Sequence, residues 1–383
     1  MRKAHKKSRA RGRIPRTLKR RRAAAYASHS GFLAGYGEGY HWGRCQAVVN
    51  HAAGPVNPVR HLKVMYVAQG TPGFHTMDVG ITEALRLLVT TVIQVSGGDP
   101  VADLAIQHRP DLVIVLNGLF NVDTGQIDRI RQAGIPTCVW IADDPYFSDQ
   151  TGEIARHYDY VFTHERSCIP LYQNAGLRHV FYLPFGVSPS LFTPKAAEVA
   201  CRTDILFIGM AFPNRIAFFD QIARHLADKR VLIAGGGWQT MASYALLRDR
   251  IRLEGIHPEQ TGTYYNGAKI VINLHRSEVE SGNSRNFPGL SVNPRTFEIN
   301  ACGTLQLVDN RSELAAHYQP GIEIETFSSP EELVGKIDYY LRNDSSRRDI
   351  AVKGLKRTLN NHTYMHRLTE MLSLIGSRGG VPV

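Results

Sequence analysis

The sequence predicts an α/β protein made of two doubly wound, parallel-sheet units facing each other across a cleft. Three features carry that expectation. Short β-branched apolar runs recur without polar alternation, as in strands covered on both faces. Helix-length segments separate them, which makes the sheets parallel. The alternation stops at LPFGVSPSLFTP (183–194) and then restarts, so the chain divides there.

The first series has strands at LKVMYVA (62–68), TVIQV (91–95), DLVIVL (111–116), TCVWIA (137–142), DYVFT (159–163) and HVFYLP (179–184). Helices are expected between them at 78–89, 101–108, 123–133, 150–157 and 166–174. The second series begins with TDILFIG (203–209) and runs through a helix at 214–228, KRVLIAG (229–235), a helix near 241–250, IRLEG (251–255), AKIVINL (268–274), a helix near 295–301, GTLQLVD (303–309) and a helix at 330–342. The expected domains are 61–190 and 191–355. Ligands of open α/β sheets bind outside the carboxyl ends of the strands, so each unit offers one wall of a cleft.

Length and composition agree. At roughly 100 to 200 residues per domain, 383 residues make two domains, and 43% apolar residues supply their cores. The five cysteines are widely spaced with no CxxC pair, which encodes neither a disulfide framework nor a zinc site and points to a reducing, cytoplasmic setting. No window approaches 18 apolar residues, so no transmembrane helix is expected.

Charge is concentrated at one end. Residues 1–22 hold twelve Lys or Arg and no acid, leaving 33 basic and 34 acidic groups in the rest, a net of −1. Residues 1–24 therefore read as a disordered basic arm for a polyanion: cell-wall polymer, nucleic acid or an anionic membrane surface. A solubilising tail is the alternative. Next, Gly31, Gly35, Gly39 and Gly43 recur every four residues with Phe32, Tyr36, Tyr40 and Trp42 among them. Residues 25–60 are thus a Gly/aromatic helix or a flexible linker.

NPRTFEINACGTLQLVDNRSEL (293–314) carries the most chemistry. A helix from Arg295 puts Arg295 and Glu298 on one face near an N-terminus that favours an anion. Arg295 can fork onto a phosphate and Glu298 can accept from sugar hydroxyls. The alternative is an ordinary intrahelical ion pair.

With DILFIGMAFPNR (204–215), YYNGAKIVINLHR (264–276), the NPRTFEINACGT block and WIADDP (140–145), residues 62–372 resemble the CgeB-type spore maturation family, bacterial glycosyltransferase-like proteins. Residues 203–370 resemble the second half of GT-B enzymes. The resemblance implies two Rossmann-like domains, with a C-terminal helix (356–383) crossing back to the first. It implies a metal-independent glycosyltransferase with no permanently bound cofactor. The donor would be a nucleotide-sugar, UDP- or GDP-linked, and the acceptor a glycan, protein or small molecule, in the cytoplasm, forespore or spore surface. FEINACG resembles the segment whose glutamate binds the donor ribose, a role that falls to Glu298. Retaining enzymes carry a second glutamate eight residues earlier, where this chain has Leu290, so retention is not implied. A spore-layer protein that keeps the fold without turnover is one alternative, and a nucleic-acid binder acting through the arm is another.

Other candidates follow from strand ends. Gly209 closes the first strand of the second unit, and its loop delivers Arg215 toward a donor diphosphate. GGGW (235–238) lacks the dinucleotide fingerprint, yet Gly236 lets the backbone approach a base or ribose. His275 follows AKIVINL and is expected in the cleft. In the first unit, QGTPGFHTMD (69–78) brings His75 to the acceptor side. Asp143 and Asp144 end the fourth strand, where a general base for an acceptor hydroxyl belongs, helix capping by Asp144 being the alternative. His164 and Glu165 form a further pair. The segment 277–293 is expected to close over the donor.

Overall fold

A computed structural model describes residues 16–52 and 58–378. The chain forms two compact units, residues 1–44 and 45–383. The first holds most of α1 (Arg16–His51), so the Gly/aromatic segment is helical. Phe32, Tyr36 and Tyr40, four residues apart, stack along it at 6.4 Å centroid spacing. Of the basic arm, residues 1–15 lie outside the described residues, and from Arg16 the backbone is helical.

The second unit contains two lobes. The first lobe runs β1 (Arg60–Ala68), α2 (His75–Leu88), β2 (Val89–Ser96), α3 (Val101–His108), β3 (Leu112–Leu116), α4 (Thr124–Gln132), β4 (Thr137–Ile141), α5 (Ser148–Ile154), β5 (Tyr160–Thr163), α6 (Ile169–Asn174) and β6 (Val180–Tyr182). Its sheet order is β2-β1-β3-β4-β5-β6, with every pair parallel. The second lobe runs β7 (Thr203–Ile208), α7 (Pro213–Leu226), β8 (Val231–Ala234), α8 (Tyr244–Leu247), β9 (Ile251–Arg252), α9 (Pro258–Gly267), β10 (Ala268–Asn273), α10 (Arg295–Ala301), β11 (Leu305–Asp309), α11 (Leu314–His317), β12 (Glu325–Phe327) and α12 (Pro330–Arg342). Its order is β12-β11-β10-β7-β8-β9, again all parallel. Two helices end the described chain, α13 (Asp344–Asn361) and α14 (Tyr364–Gly376).

The apolar runs become two-faced strands for the reason their composition implies. In β1, Leu62, Val64, Tyr66 and Ala68 enter one core cluster while Met65 and Val67 enter another on the opposite face. Strand order reverses between β1 and β3 in one sheet and between β7 and β10 in the other. Those switch points open the crevices where ligands of such sheets sit.

The chain then returns to the first lobe. α13 stays on the second lobe, where Val352, Leu355 and Leu359 pack with Cys45. α14 places Tyr364, Leu368, Met371, Leu372 and Ile375 in the first lobe's core beside α2. The crossing is fastened where Val187 N–H donates to His362 O at 3.0 Å and Tyr364 N–H to Val187 O at 3.1 Å. A Cβ at Gly186 would sit 2.7 Å from the Thr363 carbonyl carbon, so the two segments meet here only because the residue is glycine.

The elements differ from expectation within the second lobe. The helix expected near 241–250 contracts to Tyr244–Leu247, the strand expected at 251–255 to Ile251–Arg252, and α9, α11 and β12 arise where no element was expected. PEQTGTYYNG carries too little apolar periodicity to signal α9, and β12 is only three residues long.

Candidate active site

At the end of β10 the chain turns into His275, and the long segment to Asn293 precedes α10. α10 begins at Arg295, and Glu298 lies on its first turn. Glu298 is 7% exposed. Burial raises its carboxyl to about 7, with Arg295 and a hydrogen bond from Thr76 pulling the other way. That bond, Thr76 Oγ1 to Glu298 Oε1 at 3.2 Å, crosses between the lobes, because Thr76 is on the first turn of α2. Arg295 is half-buried, its charge acts on Glu298, and no carboxylate lies within 4.0 Å of its guanidinium among the described residues.

The opposite wall is set by the loop after β1. Asp78 of α2 accepts Tyr66 Oη at 2.7 Å, Gln69 N at 3.1 Å and Gly70 N at 3.0 Å. This ties the glycine loop to the helix start and presents His75 beside Thr76. His75 Nε2 lies 3.6 Å from Glu259 Oε1, on the first turn of α9 in the second lobe. Glu259 had no signal in the sequence, since its partner is 184 positions away in the chain.

Asp143 and Asp144 separate. Asp143 is half-buried and accepts Asn117 Nδ2 at 2.7 Å, remaining at the strand end. Asp144 is fully buried and accepts Thr151 Oγ1 at 2.7 Å, Thr163 Oγ1 at 2.6 Å and Tyr172 Oη at 2.6 Å. With its oxygens turned into the lobe, Asp144 does not face an acceptor, contrary to expectation, and its side chain caps no helix. Burial raises its carboxyl, and the three hydroxyls oppose that rise.

In the second lobe, Arg215 is 4% exposed and is spent largely on structure. Its Nε donates to Leu274 O at 2.9 Å and its Nη1 to Met210 O at 3.0 Å, lacing the ends of β7 and β10. Burial lowers its guanidinium to about 9, with neighbouring Arg295 adding to the fall. Gly209 offers its carbonyl to Trp238 Nε1 at 2.9 Å, and Gly235, at φ +149°, passes so close that a Cβ would meet Gly209 O at 2.1 Å. Gly236 has a more open side, with Met210 Cε 3.1 Å from where a Cβ would stand.

His275 also departs from expectation. Its Nδ1 is 2.6 Å from Asp309 Oδ1, and its Nε2 accepts Asn293 N at 2.9 Å. Both ring nitrogens are engaged and the residue is 3% exposed, so it shapes the approach to α10 instead of touching a ligand. Burial lowers its pKa, which suits the neutral ring that accepts from Asn293.

The segment 277–293 is laid across the first lobe. Ser284 N and Oγ donate to Asp149 at 3.0 and 2.8 Å, Ser148 Oγ donates to Asn283 Oδ1 at 2.9 Å, and Ser167 Oγ donates to Pro288 O at 2.7 Å. Glu165 accepts Leu290 N at 3.1 Å and Ser291 N at 3.0 Å, besides Ser167 N at 3.1 Å. Glu165 is therefore a clasp between lobes, while His164 is buried against Phe185 with ring centroids 5.4 Å apart. Arg276 ends up over Tyr146 at 4.2 Å and Phe212 at 4.4 Å, paired with Glu280 at 2.8 Å. Sequence reasoning missed Thr76 and Tyr146, whose neighbours Glu298 and Arg276 are distant in the chain. No group of three or more His, Cys, Asp or Glu among the described residues is placed to hold a metal ion.

Residues 215–373 match the family model described as Glycosyl transferase-like. The chain is 27% identical over 310 residues to Spore protein CgeB of Bacillus subtilis (strain 168), covering 79% of this chain and 95% of that protein. Among solved structures, Anabaena Alr3699/HepE in complex with UDP and glucose superposes with a TM-score of 0.58 at 13% identity, over 83% of this chain and 100% of that one. Sucrose-phosphate synthase (tll1590) from Thermosynechococcus elongatus gives 0.57 at 13% identity, over 84% and 99%. The fold is thus GT-B-like, two parallel-sheet lobes with a carboxy-terminal helix on the first, and the chain resembles CgeB.

Proposed function

We propose that this chain is a glycosyltransferase that moves a sugar from a nucleoside-diphosphate donor to an acceptor hydroxyl. The observation that carries it is the buried Glu298, touched from the other lobe by Thr76 and one helical turn from Arg295, a guanidinium with no carboxylate within 4.0 Å among the described residues. A carboxylate there accepts ribose hydroxyls, and the guanidinium meets the diphosphate. The UDP held in the HepE complex makes a uridine donor the first to test. Likeness to CgeB supports a role in the spore.

In the proposed step, His75 takes the proton of the acceptor hydroxyl as its oxygen bonds to the anomeric carbon. The bond from that carbon to the donor phosphate oxygen breaks, and the nucleoside diphosphate leaves with its charge met by Arg295. Asp143 is the second candidate base. The chain's own cations answer the leaving-group charge in this reading, with no metal assigned.

The test is turnover of UDP-, GDP-, CDP- and dTDP-sugars by wild type, an Arg295→Ala/Glu298→Ala double variant, His75→Ala and Asp143→Asn. Transfer or hydrolysis by wild type, lost in the double variant, is the expected result. Turnover unchanged in the double variant removes the proposed site. Leu290, at the position where retaining enzymes carry a glutamate, favours one rival: a protein that binds the nucleotide without turning it over, which the same panel would reveal.

A further inference from the structure

A cavity of about 870 Å³ lies between the outer face of α2, the edge strand β2 and the first turn of α9. His75 and Glu259 stand in its wall, so it opens onto the base assigned above. From His75 to Arg86 the helix offers about 16 Å of wall, at roughly 1.5 Å per residue.

The lining is selective. No Phe, Tyr, Trp, Leu, Ile or Met is part of it, and its apolar surface comes from Ala68, Pro72, Val79, Val95 and Pro258. A lipid or aryl acceptor would find no platform there and would strand the polar groups. Thr82, 4% exposed, belongs to the lining, and its buried hydroxyl has no hydrogen-bond partner among the described residues. Four carboxylates, Asp78, Glu83, Asp99 and Glu259, line the cavity against one guanidinium, Arg86. Asp78 is saturated by the β1 loop, and Glu83 accepts from Ser188 and Ser190. Asp99 sits on the exposed rim, with one oxygen on Ser96 N at 2.7 Å. An anionic ligand meets repulsion here, whereas hydroxyls and amines find acceptors.

From these groups we infer that the cavity is the acceptor site and that it takes a hydroxyl-rich glycan, neutral or amine-bearing, in preference to acidic sugars, phosphorylated chains or lipids. The identity of the ligand as an acceptor rests on the glycosyltransferase reading. The charge preference rests on the cavity alone.

Saturation-transfer NMR and calorimetry on the full chain, with UDP present, test it using maltotriose, a glucosamine trimer and a galacturonate trimer. Wild type should bind the first two, and the galacturonate trimer about tenfold more weakly, the factor that ~1.4 kcal/mol produces. Asp99→Lys should reverse the order of the two charged trimers. Equal affinity for the acidic trimer, or an order unmoved by Asp99→Lys, overturns the inference. UDP affinity in the same samples separates the two readings: a wild type that fails to bind UDP sinks the proposed function, whereas intact UDP binding with the wrong charge preference sinks only the acceptor assignment.

Discussion

Glu298 and Asp144 are both buried carboxylates, and their surroundings give them different work. Glu298 has one hydroxyl partner and a raised pKa of about 7. A raised carboxyl pKa means that the folded state holds its proton more tightly than the unfolded chain. The stability this confers is complete below the ordinary value near 4.5 and is lost as pH rises through about 7. Glu298→Gln cannot ionise, so urea melts should show the variant gaining on wild type between about pH 5 and pH 8 by about 1–3 kcal/mol; a constant difference across that range would contradict the buried, ligand-seeking carboxylate. Asp144 instead gathers three hydroxyls from positions 7, 19 and 28 residues away. Asp144→Ala should cost about 1–3 kcal/mol for each partner left unsatisfied, while UDP affinity of the folded fraction is kept. FEINACGT is a local signal and singled out Glu298, which the structure buries and joins to Thr76. The roles of Asp144 and His275 were not, because what binds them comes from other strands and loops.

At the scale of elements, the strands were legible because runs of Val, Ile and Leu without alternation fit few structures other than a covered parallel sheet. α9 was not: its helix is held by tertiary contacts, with Thr304 Oγ1 on Tyr265 O at 2.9 Å and Gly262 passing close to Leu191 O. The segment 277–293 has no periodic pattern, and its order comes from the other lobe. Glu165 does most there, since two backbone N–H groups of the segment have it as acceptor. Glu165→Ala should therefore speed proteolytic cutting within 277–293 and lower thermal stability, each measured against Glu165→Gln, which keeps one acceptor oxygen. Cutting rates equal in wild type and Glu165→Ala would show that the clasp does not hold the segment.

At the scale of the whole second unit, two sheets built by the same βα rhythm are joined by a linker and by α14. The rhythm was readable. The return of the last helix followed only from family resemblance, because an amphipathic helix does not name the core it enters. Its five buried apolar side chains contribute about 1.5–3 kcal/mol each, together comparable with the roughly 5–15 kcal/mol that holds a domain folded. A chain ending at His362 should consequently lose cooperative unfolding by circular dichroism, and a sharp native-like transition in that truncation would contradict the role given to α14. The GT-B-like architecture and the site belong together, since the Thr76–Glu298 contact exists only when both lobes are folded and facing.

A crystal structure of the protein soaked with UDP tests the central claim most directly. The ribose hydroxyls should lie on Glu298 and the phosphates on Arg295, with Thr76 displaced from or sharing the carboxylate. A UDP seated elsewhere on the molecule, with Arg295 and Glu298 untouched, would contradict it.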